Sequence, residues 1–300
     1  MNVSQISPTE LVARLNGPGL YLETGPFVFQ IRTGLKEVAD GLRVLYADFP
    51  LAGNDDSPDF QVDVTRPQSL RRWLKPQVVV YVDGEKPSLP LPLDQAFAVF
   101  EGCLNWCIYT YAHQYFIIHA AALERAGRAV ILPAPPGSGK STLCAALVNR
   151  GWRLLTDELT LIAPDTRAIV PIARPISLKN ESIEVIQRFA PQSVFGPVSP
   201  KTIKGTISHL RPPAESVNRV KESCVPTWCV FPTYRSSSGL TARIMPGGQA
   251  FMNIAGSSVN YTMFGARGFT MLAEIMDTLS CYELEYGDLS EAVAWFSALQ

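Results

Sequence analysis

The sequence predicts an α/β protein in two parts, a sheet-rich module over residues 1–93 and a domain over 94–300 in which strands alternate with helices. Three observations predict it. Short apolar runs bounded by turn residues recur through the first part. Strand, glycine-rich loop, helix and strand follow one another from 128 onward, the alternation of an α/β core. Apolar residues make up 47% of the 300 residues and charged residues 18%, enough to bury a core and too little charge for a disordered chain.

Residues 20–32, LYLETGPFVFQIR, set apolar residues on both sides of a Gly-Pro turn, which is hairpin chemistry. Further strands are expected at 43–47 (RVLYA), 60–64 (FQVDV) and 78–82 (VVVYV). PSLPLPLD at 87–94 is punctuated by proline and extended, and it leads into a helix over 94–112 with Asp94 as its N-cap. Phe97, Phe100, Leu104, Ile108 and Tyr111 recur there at spacings of three and four, a face turned to a core. From 114 the chain reads strand (QYFIIHAAALE), turn (RAGR), strand (AVILPA), loop, helix (STLCAALVNRG) and strand (RLLTDELTLIA). Residues 190–226, rich in Pro, Ser and Lys, show no clear helix and read as a functional or mobile loop. Two amphipathic helices around the strand CYELEY occupy 266–299.

Lys and Arg total 26 against 27 Asp and Glu, a net charge of −1 that lacks the basic excess used to bind nucleic acid or a membrane surface. No stretch approaches the roughly 18 uninterrupted apolar residues of a membrane helix, and the N-terminus lacks the pattern of a signal peptide. A cytoplasmic location is therefore expected. Six scattered cysteines read as reduced, mostly buried thiols, and with only three histidines a structural zinc is not expected. Arg66, Arg71, Arg72 and Lys75 around Trp73 form a local basic run, read as a solvated face or as a docking patch for an acidic acceptor.

The most informative residues are Ala134, Pro135, Pro136, Gly137, Ser138, Gly139, Lys140, Ser141 and Thr142, which follow an apolar strand and open a helix. In a phosphate-binding loop of this kind the backbone N–H groups curl around phosphate oxygens. The lysine reaches the β- and γ-phosphates and the next hydroxyl binds Mg²⁺. GSGKST fits in full, and Ala134 stands where the pattern GxxxxGK[ST] has its first glycine. ATP with Mg²⁺ is the expected ligand. Asp157 and Glu158 lie sixteen and seventeen residues beyond Ser141, so the strand after the loop's helix delivers carboxylates to the phosphate end. A carboxylate there can accept the proton of a substrate hydroxyl while a second holds Mg²⁺.

The block FIIHAAALERAGRAVILPAPPGSGKSTLCAALVNRGWRLLTDELTLI resembles the catalytic domain of HPr serine kinase/phosphorylases, whose P-loop fold is related to phosphoenolpyruvate carboxykinase. His119, Lys140, Ser141, Arg150, Gly151, Asp157 and Glu158 stand at the matching positions. Nearly the whole chain resembles the HPr-kinase-related kinase family A, through NWCIYTYAHQYFIIHAAALE, IARPISLKNESIEVI, IKGTISHLRPP and NYTMFGARGF. The resemblance implies a kinase that phosphorylates a serine of a protein or peptide. Asp157 would be its general base, Lys140 would neutralise the phosphates, Ser141 and Glu158 would hold Mg²⁺, and His119 would sit near the transferred group. Residues 173–180, ARPISLKN, replace the glycine-rich stretch tied to dephosphorylation in the bifunctional enzymes, so the phosphorylase direction is not carried over. A homo-oligomer stays open.

Phosphoryl transfer also needs cations around the transferred group. Arg174 and Lys179 are the candidates, with Lys204 and Arg211 behind them, all in segments expected to be irregular because Pro or Gly interrupts them. KTIKGTISHLRPP reads as a candidate lid with Gly205 as its hinge. Two other functions stay open: a small-molecule kinase, which also places an acid soon after the loop's helix, and a nucleotide-gated binding module that transfers nothing.

Overall fold

The structure, a computed structural model, describes residues 1–53, 57–67 and 75–299. Arg71, Arg72 and Trp73 of the basic run lie outside the described residues. Helix α1 (Pro8–Asn16) begins at Ser7, whose hydroxyl accepts from the Glu10 N–H at 3.1 Å and so caps the first turn. Strands β1 (Leu20–Thr24) and β2 (Phe27–Thr33) form the expected hairpin, with Gly25 at φ 62° in its turn. Helix α2 (Lys36–Leu45) follows and takes up most of RVLYA, which the sequence reads as a strand. The reason is periodicity: Val38, Gly41, Leu42 and Leu45 are buried on one helical face.

Strands β3 (Phe60–Thr65), β4 (Gln77–Val82) and β5 (Leu91–Pro92) complete a five-stranded sheet in the order β1-β2-β3-β4-β5. A 3₁₀ turn over Leu93–Gln95 then leads into helix α3 (Ala96–Tyr111). Asp94 is inside that turn and caps nothing; Gln95 occupies the N-cap without a side-chain hydrogen bond. Phe97, Phe100, Leu104 and Ile108 of α3 are sealed into the same core as β1–β4 and α2. This first core takes in residues through Ala112 and also Ile117, Leu159, Leu161, Ile172 and Val217 from further along the chain.

Beyond it the elements are β6 (Phe116–Ile118), β7 (Ala120–Arg125), β8 (Arg128–Pro133), α4 (Lys140–Val148), β9 (Arg153–Thr156), β10 (Thr160–Ile162) and β11 (Ile169–Val170). The chain continues through β12 (Ile176–Lys179), α5 (Glu181–Phe189), β13 (Ser199–Thr202), β14 (Gly205–Leu210), α6 (Ala214–Asn218), β15 (Pro226–Tyr234) and β16 (Thr241–Ile244). Helices α7 (Gly247–Ser257) and α8 (Tyr261–Met276), strand β17 (Ser280–Tyr286) and helix α9 (Leu289–Ser297) follow. A six-stranded sheet in the order β16-β17-β15-β8-β7-β9 organises this part. Alternate residues of β8 serve its two faces. Val130 and Leu132 pack with Leu143, Leu147 and Phe296 from α4 and α9, while Ala129 and Ile131 pack with Ile254 and Leu272 from α7 and α8.

β8, β15 and β17 are parallel. β7 runs antiparallel to both β8 and β9, so β9 points the same way as β8. Their C-terminal ends share one edge of the sheet.

Further regions differ from the sequence reading, among them helix α6 (Ala214–Asn218) within 190–226, where no helix is expected. Residues 199–210, expected to be loop, form the hairpin β13–β14, and β14 pairs with β12. Residues 207–210, Ile-Ser-His-Leu, are all buried, so no polar alternation marks the strand. Helix α7 is missed because glycines at 247, 248 and 256 break the expected helical composition. Among the described residues no helix is long and apolar enough to cross a membrane.

Gly41 is where α2 meets α3: a Cβ there would lie 2.1 Å from Cδ2 and Cε2 of Phe97. Gly41→Ala should lower unfolding free energy by roughly 1–3 kcal/mol through overpacking, read from urea denaturation at constant m-value. An unchanged midpoint would show that α2 and α3 do not pack this closely.

Candidate active site

The glycine-rich loop leaves β8 at Pro133 and enters α4 at Lys140. Gly137 and Gly139 both have φ 87°, a left-handed conformation that a side chain strains. Gly139 is also crowded: a Cβ would lie 2.8 Å from Tyr286 Oη and 2.9 Å from Tyr234 Cβ. The Tyr234 N–H donates to Ser138 O at 2.9 Å and Tyr286 Oη donates to Gly139 O at 3.4 Å. The ends of β15 and β17 therefore hold the loop from beneath. The first N–H groups of α4 lack intrahelical acceptors, which makes this turn a natural seat for an anion. Lys140 and Ser141 stand on that turn, with Thr142 after them.

Strand β9 ends at Thr156 on the same edge and hands over Asp157 and Glu158. Lys140 Nζ donates to the Asp157 backbone oxygen at 2.5 Å. Asp157 Oδ2 accepts from Ser141 Oγ at 3.2 Å and from the Ser177 N–H at 3.1 Å. Its Oδ1 is buried with no hydrogen-bond partner, in a side chain 4% exposed. Burial and the adjacent Glu158 raise the Asp157 carboxyl above the usual range, against the pull of Lys140, the Ser177 N–H and the Ser141 hydroxyl. For Glu158, burial acts the same way, but Lys140, Lys179, Lys204 and Arg174 outweigh it and hold the group below its ordinary value. Neighbouring carboxyls are thus pushed in opposite directions, the pattern that separates a proton acceptor from a permanently charged group.

The expected cations fall into different situations. Arg174 is buried, and its Nη2 donates to Asn105 Oδ1 at 2.8 Å and to Glu101 Oε2 and O, both at 3.3 Å. Nε and Nη1 have no partner. Glu101 also accepts from Tyr46 Oη at 2.6 Å, and Asn105 Nδ2 donates to Glu158 Oε2. Lys179 ends β12, a regular strand where irregular backbone was expected, and is half-buried; Lys204 is exposed in the β13–β14 turn. Arg211 is committed to Asp48 of the first core at 2.6 Å. Gly205 at φ 88° sits in a turn clamped by Asn180, whose Oδ1 accepts from the Thr206 N–H at 3.0 Å, so it is a turn residue of a hairpin rather than a joint in an irregular segment.

Two hollows adjoin these residues. A cavity of about 70 Å³ is lined by Asp157, Glu158, Arg174, Lys179, Lys204 and His209 among others. An open cleft of about 400 Å³ is lined by His119, Tyr109, residues 134–136 of the loop and residues 256–259. The backbone N–H of His119 donates to Ser257 O at 2.8 Å. Partial burial and the ammonium groups of Lys140, Lys179 and Lys204 hold its imidazole below the ordinary value. Lys140, Ser141, Asp157 and Glu158 thus stand together, with Arg174, Lys179 and Lys204 around one cavity and His119 in the adjoining cleft.

Sequence reasoning misses Glu101, Asn105, Tyr46, Ser177 and His209. A signal for two of them is present, since Glu101 and Asn105 are polar residues four apart on a helix otherwise rich in apolar side chains. Neither a protein-family model nor a curated protein matches the sequence.

His209 is buried beside the Phe97 ring, and burial, with Arg174 and Lys179 adding to it, brings its pKa down to about 3. The unfolded chain binds the proton near pH 6.5 and the folded one does not, so stability is fully present above 6.5 and is lost as pH falls toward 3. Relative to His209→Gln, the native protein should lose about 1–2 kcal/mol between pH 6.5 and 5, read from urea unfolding at both values. Parallel loss in both proteins would mean that His209 is protonated in the fold.

Proposed function

We propose that the protein is an ATP- and Mg²⁺-dependent kinase whose 134–142 segment is a P-loop, in a domain of the HPr kinase type. The observation that carries this reading is Asp157: a buried carboxylate whose Oδ2 accepts from the Ser141 hydroxyl and whose backbone oxygen accepts from the Lys140 ammonium, where β9 ends beside a glycine loop. A carboxylate beside an anion seat is placed to take a proton from an incoming hydroxyl.

The chain's own residues divide the work. Backbone N–H groups of the loop and the first turn of α4 hold the phosphate oxygens. Lys140 spends one of its three donors on the Asp157 carbonyl and directs the others to the β- and γ-phosphates. Asp157 accepts the hydroxyl proton as the acceptor oxygen bonds to the γ-phosphorus and the bond to the β-phosphate oxygen breaks, releasing ADP. Lys179 and Lys204 offset charge on the transferred group from the other side of the cavity.

The donor set fits Mg²⁺ held with a nucleotide. Among the described residues no group of three His, Cys, Asp or Glu forms an all-protein cage. The Ser141 hydroxyl and the Glu158 carboxylate, held below its ordinary pKa by the surrounding cations, match an ion that takes one or two protein ligands and completes its shell with phosphate and water. Bound there, Mg²⁺ would neutralise phosphate charge during transfer.

The acceptor we propose is a serine of a peptide or protein, as the resemblance implies. Lys140→Ala should abolish transfer and weaken ATP binding measured by calorimetry; native affinity in a folded variant would remove the P-loop assignment. Asp157→Asn should still bind ATP while transfer falls by roughly 10²–10⁴-fold, the usual contribution of a general base. Labelled ATP with candidate serine peptides reads that loss, and full activity would exclude Asp157 as base.

A further inference from the structure

The geometry points to Asn105 as a positioning residue: its side-chain amide fixes the Glu158 carboxylate by bridging it to the Arg174–Glu101 pair of the first core. The inference rests on the kinase reading for the role of Glu158 and goes beyond it in the residues it recruits.

Asn105 presents an acceptor and a donor on one rigid plane, and the two ends face groups of opposite charge. Its oxygen takes the Arg174 Nη2 proton at 2.8 Å and its nitrogen donates to Glu158 Oε2. These partners assign the amide without ambiguity, because the reverse orientation would set donor against donor and acceptor against acceptor. No charged side chain can replace it. An aspartate would keep the Arg174 contact and set an anion against Glu158, while a lysine would do the reverse.

The amide is itself held from behind. Glu101 precedes Asn105 by one helical turn on α3, so both side chains emerge on one face, and Arg174 Nη2 touches both. Arg174 and Glu101 are 6% and 3% exposed, and Tyr46, fully buried in α2's flank of the first core, donates to the other Glu101 oxygen. The apolar face of α3 seals the same core. Tyr46, Glu101, Arg174, Asn105 and Glu158 therefore form one chain of hydrogen bonds from the interior of the first core to the acid beside the glycine loop. Arg174 is consequently a positioning residue as well. Its only engaged nitrogen is spent on Asn105 and Glu101, and the other two are closed off from solvent.

Residues that orient a metal ligand without touching the metal typically control its affinity by 10–100-fold. The test uses the full chain loaded with ATP, Mn²⁺ as the probe ion, and electron paramagnetic resonance to read bound Mn²⁺. Asn105→Asp and Asn105→Ala should each raise the Mn²⁺ half-saturation by about 10-fold or more, with metal-free ATP affinity unchanged because Lys140 and the loop are untouched. The aspartate variant keeps the Arg174 acceptor but adds an anion, and the alanine variant removes the amide without adding charge, so a metal defect shared by both, in protein that still unfolds cooperatively, is ascribed neither to the added charge nor to unfolding. Native Mn²⁺ half-saturation in both variants, with or without a lower thermal midpoint, would overturn the positioning role and leave the kinase reading intact. Failure of the unmodified protein to hold Mn²⁺ with ATP would overturn the kinase reading and this inference with it.

Discussion

Withdrawing the Asp157 carboxylate from water is the constraint around which this molecule is arranged. An ionised carboxylate in an apolar interior is costly unless charges and donors fixed in the fold offset it, and its pKa rises when they fall short. Here two segments supply the offset: the first turn of α4 brings Lys140 and Ser141, and β12 brings the Ser177 N–H, while α3 reaches the neighbouring Glu158 through Asn105. The compensation stops short of completion. One oxygen of Asp157 has no hydrogen-bond partner, and its carboxyl stays above the usual range.

The architecture explains why those segments can meet. The parallel strands β8, β15 and β17, with β9 running the same way, end on one edge of the large sheet, where open α/β sheets hold their ligands. Tyr234 and Tyr286 at the ends of β15 and β17 support the loop from below. Helix α3 lines the cavity beside the acid pair through Glu101 and Asn105. Its contribution is electrostatic as well as steric, since a buried Arg–Glu pair keeps its value only while both partners stay in place and losing one typically costs 3–5 kcal/mol. The Arg211–Asp48 ion pair ties the same two parts a second time.

How much of this was legible in the sequence follows from the range over which each signal acts. The loop could be read because its requirements are local: glycines for left-handed backbone at 137 and 139, then Lys140 and Ser141 on one helical turn. The Asp157–Glu158 pair could be read because one strand connects it to that helix. The hairpin β13–β14 could not, because its inner strand is buried over 207–210 and shows no alternation. Residues 43–47 read as strand because the apolar run 44–47 carries no period of its own, and only Val38, Gly41, Leu42 and Leu45 together reveal the helix. Glu101 and Asn105 escaped because their partners Arg174 and Glu158 lie far along the chain, and a polar pair on a helix does not announce what it faces. For the same reason Arg174 is legible as a cation and its commitment to Glu101 is not.

The central claim is that the glycine loop seats a triphosphate beside a pre-built acid pair. A crystal structure of the protein with a non-hydrolysable ATP analogue and Mn²⁺, the metal located by anomalous scattering, addresses it most directly. The account predicts phosphate oxygens against the backbone of 137–142, Lys140 Nζ within reach of the β- and γ-phosphates, and metal beside Ser141 and Glu158. The Asp157 Oδ1 atom should face the γ-phosphate across the space an acceptor hydroxyl would fill. A nucleotide bound elsewhere, or one seated on the loop with the γ-phosphate turned away from Asp157, would contradict it.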